Sequence, residues 1–116
     1  MNKETLLKHT RSYEDSLVTR LQDPELATAY LETALEAYEV DGNTDALLLA
    51  LSHVAKAQGG IGQLAKRTAV SREQLYEILD SHQAPRLDRW LAVLSALGFR
   101  VRLEQVKATP EPVPLP

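Results

Sequence analysis

The stretch IGQLAKRTAVSREQLYEILD, residues 61–80, decides the fold, because it contains two short helical runs joined by a turn. The first run covers residues 61–68, with Leu64 and Ala65 facing inward. The second starts at Ser71, whose hydroxyl can cap the free amides of the next turn. Its apolar residues recur at helical spacing: Leu75, Ile78 and Leu79. A small residue at Ala65, where two helices cross, completes the pattern of a helix-turn-helix.

The second helix of a helix-turn-helix enters the major groove of DNA, and its first residues meet base edges. With Leu75 buried, four residues lie on or near the outer face and are candidate base contacts: Arg72, Glu73, Gln74 and Tyr76. Arg72 can hold guanine O6 and N7 together, and Gln74 can read adenine. Tyr76 can touch a thymine methyl group or a phosphate. Glu73 either accepts from a cytosine amine or pairs with Arg72 or Arg67 and stays off the DNA.

Phosphate contacts position a protein on DNA without selecting sequence. Candidates for this role are Ser71, Lys66, Arg67 and Arg86. Simpler interpretations stay open. Exposed basic residues often serve only solubility, Ser71 is first of all a helix cap, and Tyr76 can pack against a neighbouring helix with its hydroxyl in water.

The charge of the chain is divided unevenly along its length. The net charge of the whole chain is −3, but residues 1–55 have a net charge of −6 and residues 56–107 one of +4. The basic residues therefore accompany the helix-turn-helix, as phosphate binding requires. The acidic half suits a basic protein partner.

Composition excludes several other classes of protein. A chain of 116 residues has room for one domain and none for an additional catalytic domain. There is no cysteine, no membrane-length apolar run and no signal-peptide pattern, so we expect a cytoplasmic protein. His9, His53 and His82 are scattered and form no catalytic or metal-binding spacing. We therefore expect no enzyme activity, no metal and no cofactor.

The remaining helices complete an all-α fold of about five helices. Besides the helix-turn-helix, the predicted helices of the domain cover residues 24–38, 44–57 and 86–97, and a short helix over residues 13–21 precedes them. Asp23-Pro24 starts the helix over 24–38, Thr44 caps the helix over 44–57, and Gly98 ends the last helix in a left-handed conformation. The predicted organisation is a mobile or partly helical segment over residues 1–22, the helix-turn-helix domain over 23–106, and a proline-rich disordered tail over 107–116.

Residues 99–106 change period and predict one strand. Phe99, Val101 and Leu103 alternate with polar residues and share one face. Because a lone strand has unpaired backbone groups, its simplest partner is the same strand of a second copy, although it could pair within its own chain. We therefore expect a homodimer whose interface includes Trp90, Phe99, Val101 and Leu103, with the core as the alternative place for Trp90.

With these residues laid out, the chain resembles the HigA-like addiction-module antidotes, a branch of the Cro and λ-repressor type helix-turn-helix proteins. The resemblance covers about residues 12–104. It is carried by four stretches: LQDPELATAYLETAL (21–35), ALLLALSHVAKAQGGIGQLAKRT (46–68), VSREQLYEIL (70–79) and PRLDRWLAVLSALGFRVRL (85–103). It implies an antitoxin that binds a RelE/HigB-like mRNA-cleaving toxin and represses their shared promoter, on a palindromic operator, as a dimer.

Two features separate this chain from the usual helix-turn-helix pattern. Ala69 stands at the turn where many such proteins have glycine, and an alanine in a left-handed conformation would cost about 1 kcal/mol. Ile61 stands where the wider superfamily often has a DNA-contacting glutamine. Two alternative functions stay open: a stand-alone regulator without a toxin, and a protein-interaction module that no longer binds DNA, which Ile61 and the net negative charge favour.

The predicted toxin-binding surface combines residues 1–22 with the polar side of the helix over residues 24–38. That side carries four carboxylates: Glu25, Glu32, Glu36 and Glu39. The alternative is that this side is only solvated and that the helix serves to close the core.

Overall fold

The computed structural model describes residues 3–80 and 83–106, with side chains described from residue 11 onward. The described residues form six helices and no strand, so the all-α class is confirmed. The helices are α1 (Lys3–Arg20), α2 (Pro24–Asp41), α3 (Thr44–Ala57), α4 (Ile61–Lys66), α5 (Arg72–Asp80) and α6 (Leu87–Ala96). None of these helices is both long and apolar enough to cross a lipid bilayer.

Helix α1 is longer than its sequence pattern predicted. It begins at Lys3, so residues 3–12, for which we predicted no clear helix, are helical. Its early residues have no apolar stripe, and periodicity therefore gave no signal there. The later turns supply Leu17 to the core, and Leu21, just past the end of α1, is buried as well. Glu14 forms an ion pair with Lys56 of α3, with the Nζ and Oε1 atoms 3.0 Å apart.

Local capping chemistry sets the ends of α2 and α3. The Asp23 carboxylate accepts a hydrogen bond from the Glu25 amide at 2.9 Å, and Pro24 is the first helical residue. Gly42, at φ 65°, ends α2 in the left-handed conformation that glycine adopts at little cost. The cap of α3 is Asn43, which accepts from the Ala46 amide at 3.1 Å. The assignment of that cap to Thr44 was wrong by one residue.

Helix α3 is the centre of the bundle and contacts α1, α2, α4 and α5. Contacts with four helices make α3 the element around which the others pack. It supplies six buried side chains to the core: Leu47, Leu48, Ala50, Leu51, Val54 and Ala55. The helix-turn-helix is seated on this core through Leu64 of α4 and Leu75 of α5, both fully buried.

The turn between α4 and α5 is unstrained. No residue other than glycine has a positive φ in the described part of the chain, so Ala69 is not left-handed. The free-energy cost of a left-handed alanine at this turn is therefore absent. Val70, next to it, packs against the core together with Ala65 and Ile61.

The chain after α6 differs from its prediction. Gly98 has φ 90°, which confirms its left-handed conformation. Residues 99–106 contain no strand, so the predicted strand and its pairing within the chain are wrong, because no other described segment offers a strand edge. The single chain also supplies no support for strand pairing across a dimer. Residues 102–106 instead lie beside α2, where Leu103 and Val106 line a groove with Leu35. The predicted disordered tail, 107–116, lies outside the described residues.

Candidate nucleic-acid interface

The start of α5 is held by a reciprocal pair of hydrogen bonds. The Ser71 hydroxyl accepts from the Gln74 amide at 3.2 Å, and the Gln74 side-chain oxygen accepts from the Ser71 amide at 3.1 Å. This arrangement is a capping box, which satisfies two amides at the helix start. Ser71 is therefore a cap, as predicted. The role of Gln74 in the cap was missed, although a serine followed three residues later by a glutamine is its sequence signal.

Arg72 and Tyr76 form one exposed pair on the outer side of α5. Being four residues apart, they lie on the same helix face. The Arg72 guanidinium carbon is 5.8 Å from the centre of the Tyr76 ring, within the range of a cation–π contact. Both side chains are exposed, and Tyr76 retains 43% of its accessible surface. The structure thus places the predicted guanine-reading residue beside the predicted thymine-contacting residue.

Glu73 is exposed in the first turn of α5. Within the described residues it forms no ion pair, so its predicted alternative partners, Arg72 and Arg67, do not hold it. A carboxylate in the first turn stabilises a helix through the helix dipole. Glu73 can therefore stabilise α5, whether or not it also accepts a hydrogen bond from a cytosine amine as predicted.

The Arg67 side chain forms hydrogen bonds within its own chain. Its guanidinium donates to the side-chain oxygen of Gln58 at 3.1 Å and to the Gln58 carbonyl at 3.4 Å. Gln58 in turn donates to the Leu97 carbonyl at 2.8 Å. Gln58 is the C-cap of α3 and Leu97 is the C-cap of α6, so this network connects the carboxyl ends of two helices beside the helix-turn-helix. No local sequence pattern indicates this network, because its three residues lie in separate elements.

The other two proposed phosphate contacts lie on different elements. Lys66 is exposed in the last turn of α4, on the helix before the turn. Arg86 precedes α6 and pairs with Asp88, with the Nε and Oδ1 atoms 3.3 Å apart and both side chains largely exposed. Such an exposed pair contributes little to stability. The structure groups Ser71, Arg72, Glu73, Gln74 and Tyr76 in the first two turns of α5 and its cap, and leaves Arg86 on a separate element.

Tyr76 also borders a cavity that joins α5 to α1 and α3. Glu14, His53 and Lys56 line the same cavity. The bond from Lys56 lowers the pKa of the Glu14 carboxyl. The Nδ1 atom of His53 is 2.8 Å from the Tyr30 hydroxyl. Burial lowers the pKa of His53 below its ordinary 6.5, although nearby Glu14 acts in the opposite direction.

The four residues predicted for a dimer interface divide into two pairs. Trp90 and Phe99 are partly buried and pack against the core of their own chain. Val101 and Leu103 are exposed, and Leu103 retains 98% of its accessible surface. Trp90 was predicted to lie either in the dimer interface or in the core, and in the single chain it lies at the edge of the core.

The carboxylates of α2 form a stripe that we call the acidic face: Glu25, Glu32, Glu36 and Glu39. All four are exposed, and their spacings of seven, four and three residues place them on one side of the helix. Helix α2 also supplies Ala27 and Leu31 to the core. The helix therefore closes the core on one side and presents negative charge on the other.

Comparison with known proteins identifies a family. The family model described as probable addiction module antidote protein matches residues 12–105. No curated protein and no solved structure matches the chain. The matched residues include α2 to α6 completely and the second half of α1.

Proposed function

The chain belongs to the family of probable addiction-module antidote proteins, which makes it an antitoxin with a cognate toxin, and we propose that this antitoxin is HigA-like. In this proposal the toxin is a RelE/HigB-like enzyme that cleaves mRNA. The antitoxin neutralises it and represses the operon that encodes both, through a Cro and λ-repressor type helix-turn-helix. Because mRNA is the target of such a toxin, both proteins act in the cytoplasm.

The observation that carries the DNA-binding proposal is the exposed Arg72–Tyr76 pair on a firmly seated helix. Leu75 anchors α5 in the core, and the capping box of Ser71 fixes its first turn. Arg72 can then read a guanine through O6 and N7, a contact worth about 1–3 kcal/mol of discrimination. Tyr76 contacts the neighbouring thymine methyl group or a phosphate.

In this proposal the remaining polar residues differ in how free their side chains are to contact DNA. Gln74 has its side-chain oxygen in the cap, so its reading of adenine competes with capping. Lys66 and Arg86, together with the Ser71 hydroxyl, contact phosphates. Arg67 supports the turn through Gln58 and reaches a phosphate only by giving up those bonds.

Operator recognition is proposed to need two copies of the chain. Helix-turn-helix dimers place two recognition helices about 34–36 Å apart, one turn of DNA, on a palindromic site. The proposed interface consists of Trp90, Phe99, Val101 and Leu103. The almost complete exposure of Leu103 in the single chain supports this, because burial against a second copy would remove apolar surface from water.

A footprint on the DNA upstream of the gene tests operator binding and dimerisation together. We expect two protected half-sites one helical turn apart, with protection that weakens as salt rises because phosphate contacts release counterions. Protection of a single half-site would contradict the dimer. No protection at low salt would overturn repression by the free antitoxin and favour a module that binds only protein.

The toxin is proposed to bind the acidic face together with α1. RNA-cleaving enzymes need basic residues to hold phosphates, and an acidic partner complements them. Deleting residues 1–22 is an unsuitable test, because Leu17 and Leu21 belong to the core. Charge reversal of the acidic face leaves the core unchanged, since its four carboxylates are exposed.

The test is rescue of growth in cells that express the neighbouring toxin gene. We expect the double substitution Glu36→Lys and Glu39→Lys to abolish rescue, while Glu77→Lys on α5, also exposed, retains it. Full rescue by the double variant would exclude the acidic face as a required contact. Circular dichroism of both variants establishes that each is folded.

A further inference from the structure

The cavity beside Tyr76 has a volume of about 300 Å³ and lies between α5 and the helices α1, α3 and α4. Tyr76 and Leu79 line it from α5, and Lys56 lines it from the last turn of α3. Gly60 and Ile61, where α4 begins, also line it. We call this site the Lys56 cavity. Because Tyr76 belongs to the proposed DNA interface as well, the cavity adjoins that interface.

Lys56 already holds an anionic group at this cavity. Its Nζ atom is 3.0 Å from the Oε1 atom of Glu14, which comes from α1. The Lys56 and Glu14 side chains retain 58% and 39% of their accessible surface, so the pair is open to solvent. An ion pair this exposed contributes little to stability. The carboxylate is therefore a weakly held anion that a more strongly bound anion can replace.

The position of the Lys56 cavity is that of a contact with the DNA backbone. When the second helix of a helix-turn-helix lies in the major groove, the first helix crosses the sugar–phosphate backbone. Here the first helix is α4, and the cavity lies between its start and Tyr76 of α5. A backbone that crosses α4 beside α5 therefore passes the cavity. The ammonium group of lysine is a compact charge with three N–H donors, which suits a phosphate.

We propose that Lys56 contacts a backbone phosphate of the bound DNA and exchanges Glu14 for that phosphate on binding. The inference rests on the proposed DNA-binding function and extends the interface to a residue outside the helix-turn-helix. DNA phosphates release condensed counterions when a lysine binds them, and a lone surface carboxylate offers no such gain. Glu14 thus neutralises Lys56 in the free protein, and Lys56 adds affinity without selecting a base sequence.

A purely structural role for Lys56 has a different experimental signature. Lys56 lies in the last turn of α3, where a positive charge interacts favourably with the helix dipole, and it connects α3 to α1. Loss of that role alone would change stability and leave the salt dependence of DNA binding as it is. The slope of log affinity against log salt concentration reports the number of phosphates contacted, at about 0.9 for each. This slope therefore separates the two roles.

Fluorescence anisotropy of the full chain tests the contact on two labelled duplexes, the DNA upstream of the gene and one of unrelated sequence, over a range of salt concentrations. We expect Lys56→Gln to weaken binding to both duplexes and to reduce the slope by about one for each bound chain. Lys56→Arg keeps the charge and should retain the slope. Arg102→Gln is the matched control, because it removes an exposed charge beside α2, and it should leave the slope unchanged.

Glu14→Gln tests the exchange between the carboxylate and the phosphate. We expect this variant to bind both duplexes more tightly than wild type, because no carboxylate then competes for Lys56. Glu104→Gln, at an exposed position beside α2, removes the same charge elsewhere and should bind as wild type does. Unchanged or weaker binding by Glu14→Gln would overturn the exchange.

All affinities are compared at concentrations corrected for the folded fraction, so that a loss of stability is not counted as a loss of binding. If wild type binds both duplexes and Lys56→Gln has an unchanged salt slope, the inference is overturned while the proposed function stands. An equal reduction of the slope in Arg102→Gln would also overturn it, since overall charge would then explain the effect. No binding by wild type would overturn the proposed DNA binding and the inference with it.

Discussion

The residues before and after the turn of the helix-turn-helix offer a direct comparison. Arg67 directly follows α4, and Arg72 is the first residue of α5. Both arginines were predicted to contact DNA. Arg67 donates to the side-chain and backbone oxygens of Gln58. Arg72 lies over the ring of Tyr76 and stays exposed. Two arginines five positions apart thus differ in their partners: one is hydrogen-bonded to a neighbouring helix end, and the other lies exposed over a ring.

The difference follows from what helix ends offer to a guanidinium group. The carboxyl end of a helix presents unpaired carbonyl oxygens, which accept hydrogen bonds from arginine. Arg67 lies beside the carboxyl end of α3. The amino end of a helix presents only N–H donors, so Arg72 finds no acceptor there and extends away. A basic residue at the start of a recognition helix is therefore left available to an external acceptor such as a base edge or phosphate.

The largest effect on stability is expected from Leu75, the buried residue that anchors α5 in the core. Leu75→Ala should lower the free energy of unfolding by about 2–5 kcal/mol, because Leu75 is fully buried and its truncation leaves a cavity. Denaturant unfolding measures this. Leu49→Ala is the matched control, since Leu49 is 56% exposed, and it should change stability by far less. Equal losses in the two variants would contradict the seating of α5 on the core.

The capping box gives the next largest effect. Ser71→Ala should lower the free energy of unfolding by about 0.5–2 kcal/mol, because the Gln74 amide loses its acceptor. Ser16→Ala, at an exposed position within α1, should cause no comparable loss. Thermal unfolding of the two variants provides the measurement. An unchanged midpoint for Ser71→Ala would show that the cap does not hold the start of α5.

Arg67→Ala should lower the free energy of unfolding by about 1 kcal/mol, because the hydrogen bonds to Gln58 are lost. Arg72→Ala should leave stability nearly unchanged, since its contact with Tyr76 is exposed. Gln58→Ala added to Arg67→Ala should cost less than the sum of the single losses, because the residues share one network. Additive losses would contradict that network, and a loss for Arg72→Ala equal to that of Arg67→Ala would remove the contrast between the arginines.

A smaller effect is expected from His53, which lies in the cavity beside Tyr76. Because burial lowers its folded-state pKa below 6.5, the unfolded chain binds a proton more readily. Stability should therefore be unaffected by His53 well above pH 6.5, fall as pH drops through 6.5, and stop falling once pH is below the folded pKa. His53→Gln should make the profile flatter between pH 7.5 and 5.5. An unchanged slope would assign the pH dependence to other groups.

Much of the fold could be predicted from the sequence, because periodicity and capping are local. The run Asp23-Pro24, the glycine at Gly98 and the apolar positions of α5 each predicted an element that the structure contains. The early turns of α1 could not be predicted, since they have no apolar stripe. The strand over residues 99–106 was predicted from alternation alone, and alternation does not show whether a pairing partner exists.

The part of the candidate site that lies on α5 could be predicted from the sequence, and the contacts between elements could not. Arg72 and Tyr76 are exposed together, as the predicted burial of Leu75 indicated. The binding of Arg67 by Gln58 depends on how the end of α3 packs beside α4, and no sequence pattern encodes that. The same limit applies to the contact between Tyr30 and His53, which are 23 residues apart.

The most direct test of the proposed DNA interface is a gel shift on the DNA upstream of the gene, at two salt concentrations. Wild type, Arg72→Ala and Arg67→Ala are compared at concentrations corrected for the folded fraction. We predict a specific, salt-weakened shift for wild type, a loss of about 1–3 kcal/mol in binding for Arg72→Ala, and near wild-type binding for Arg67→Ala. Wild-type affinity in Arg72→Ala, or an equal loss in both variants, would contradict the account.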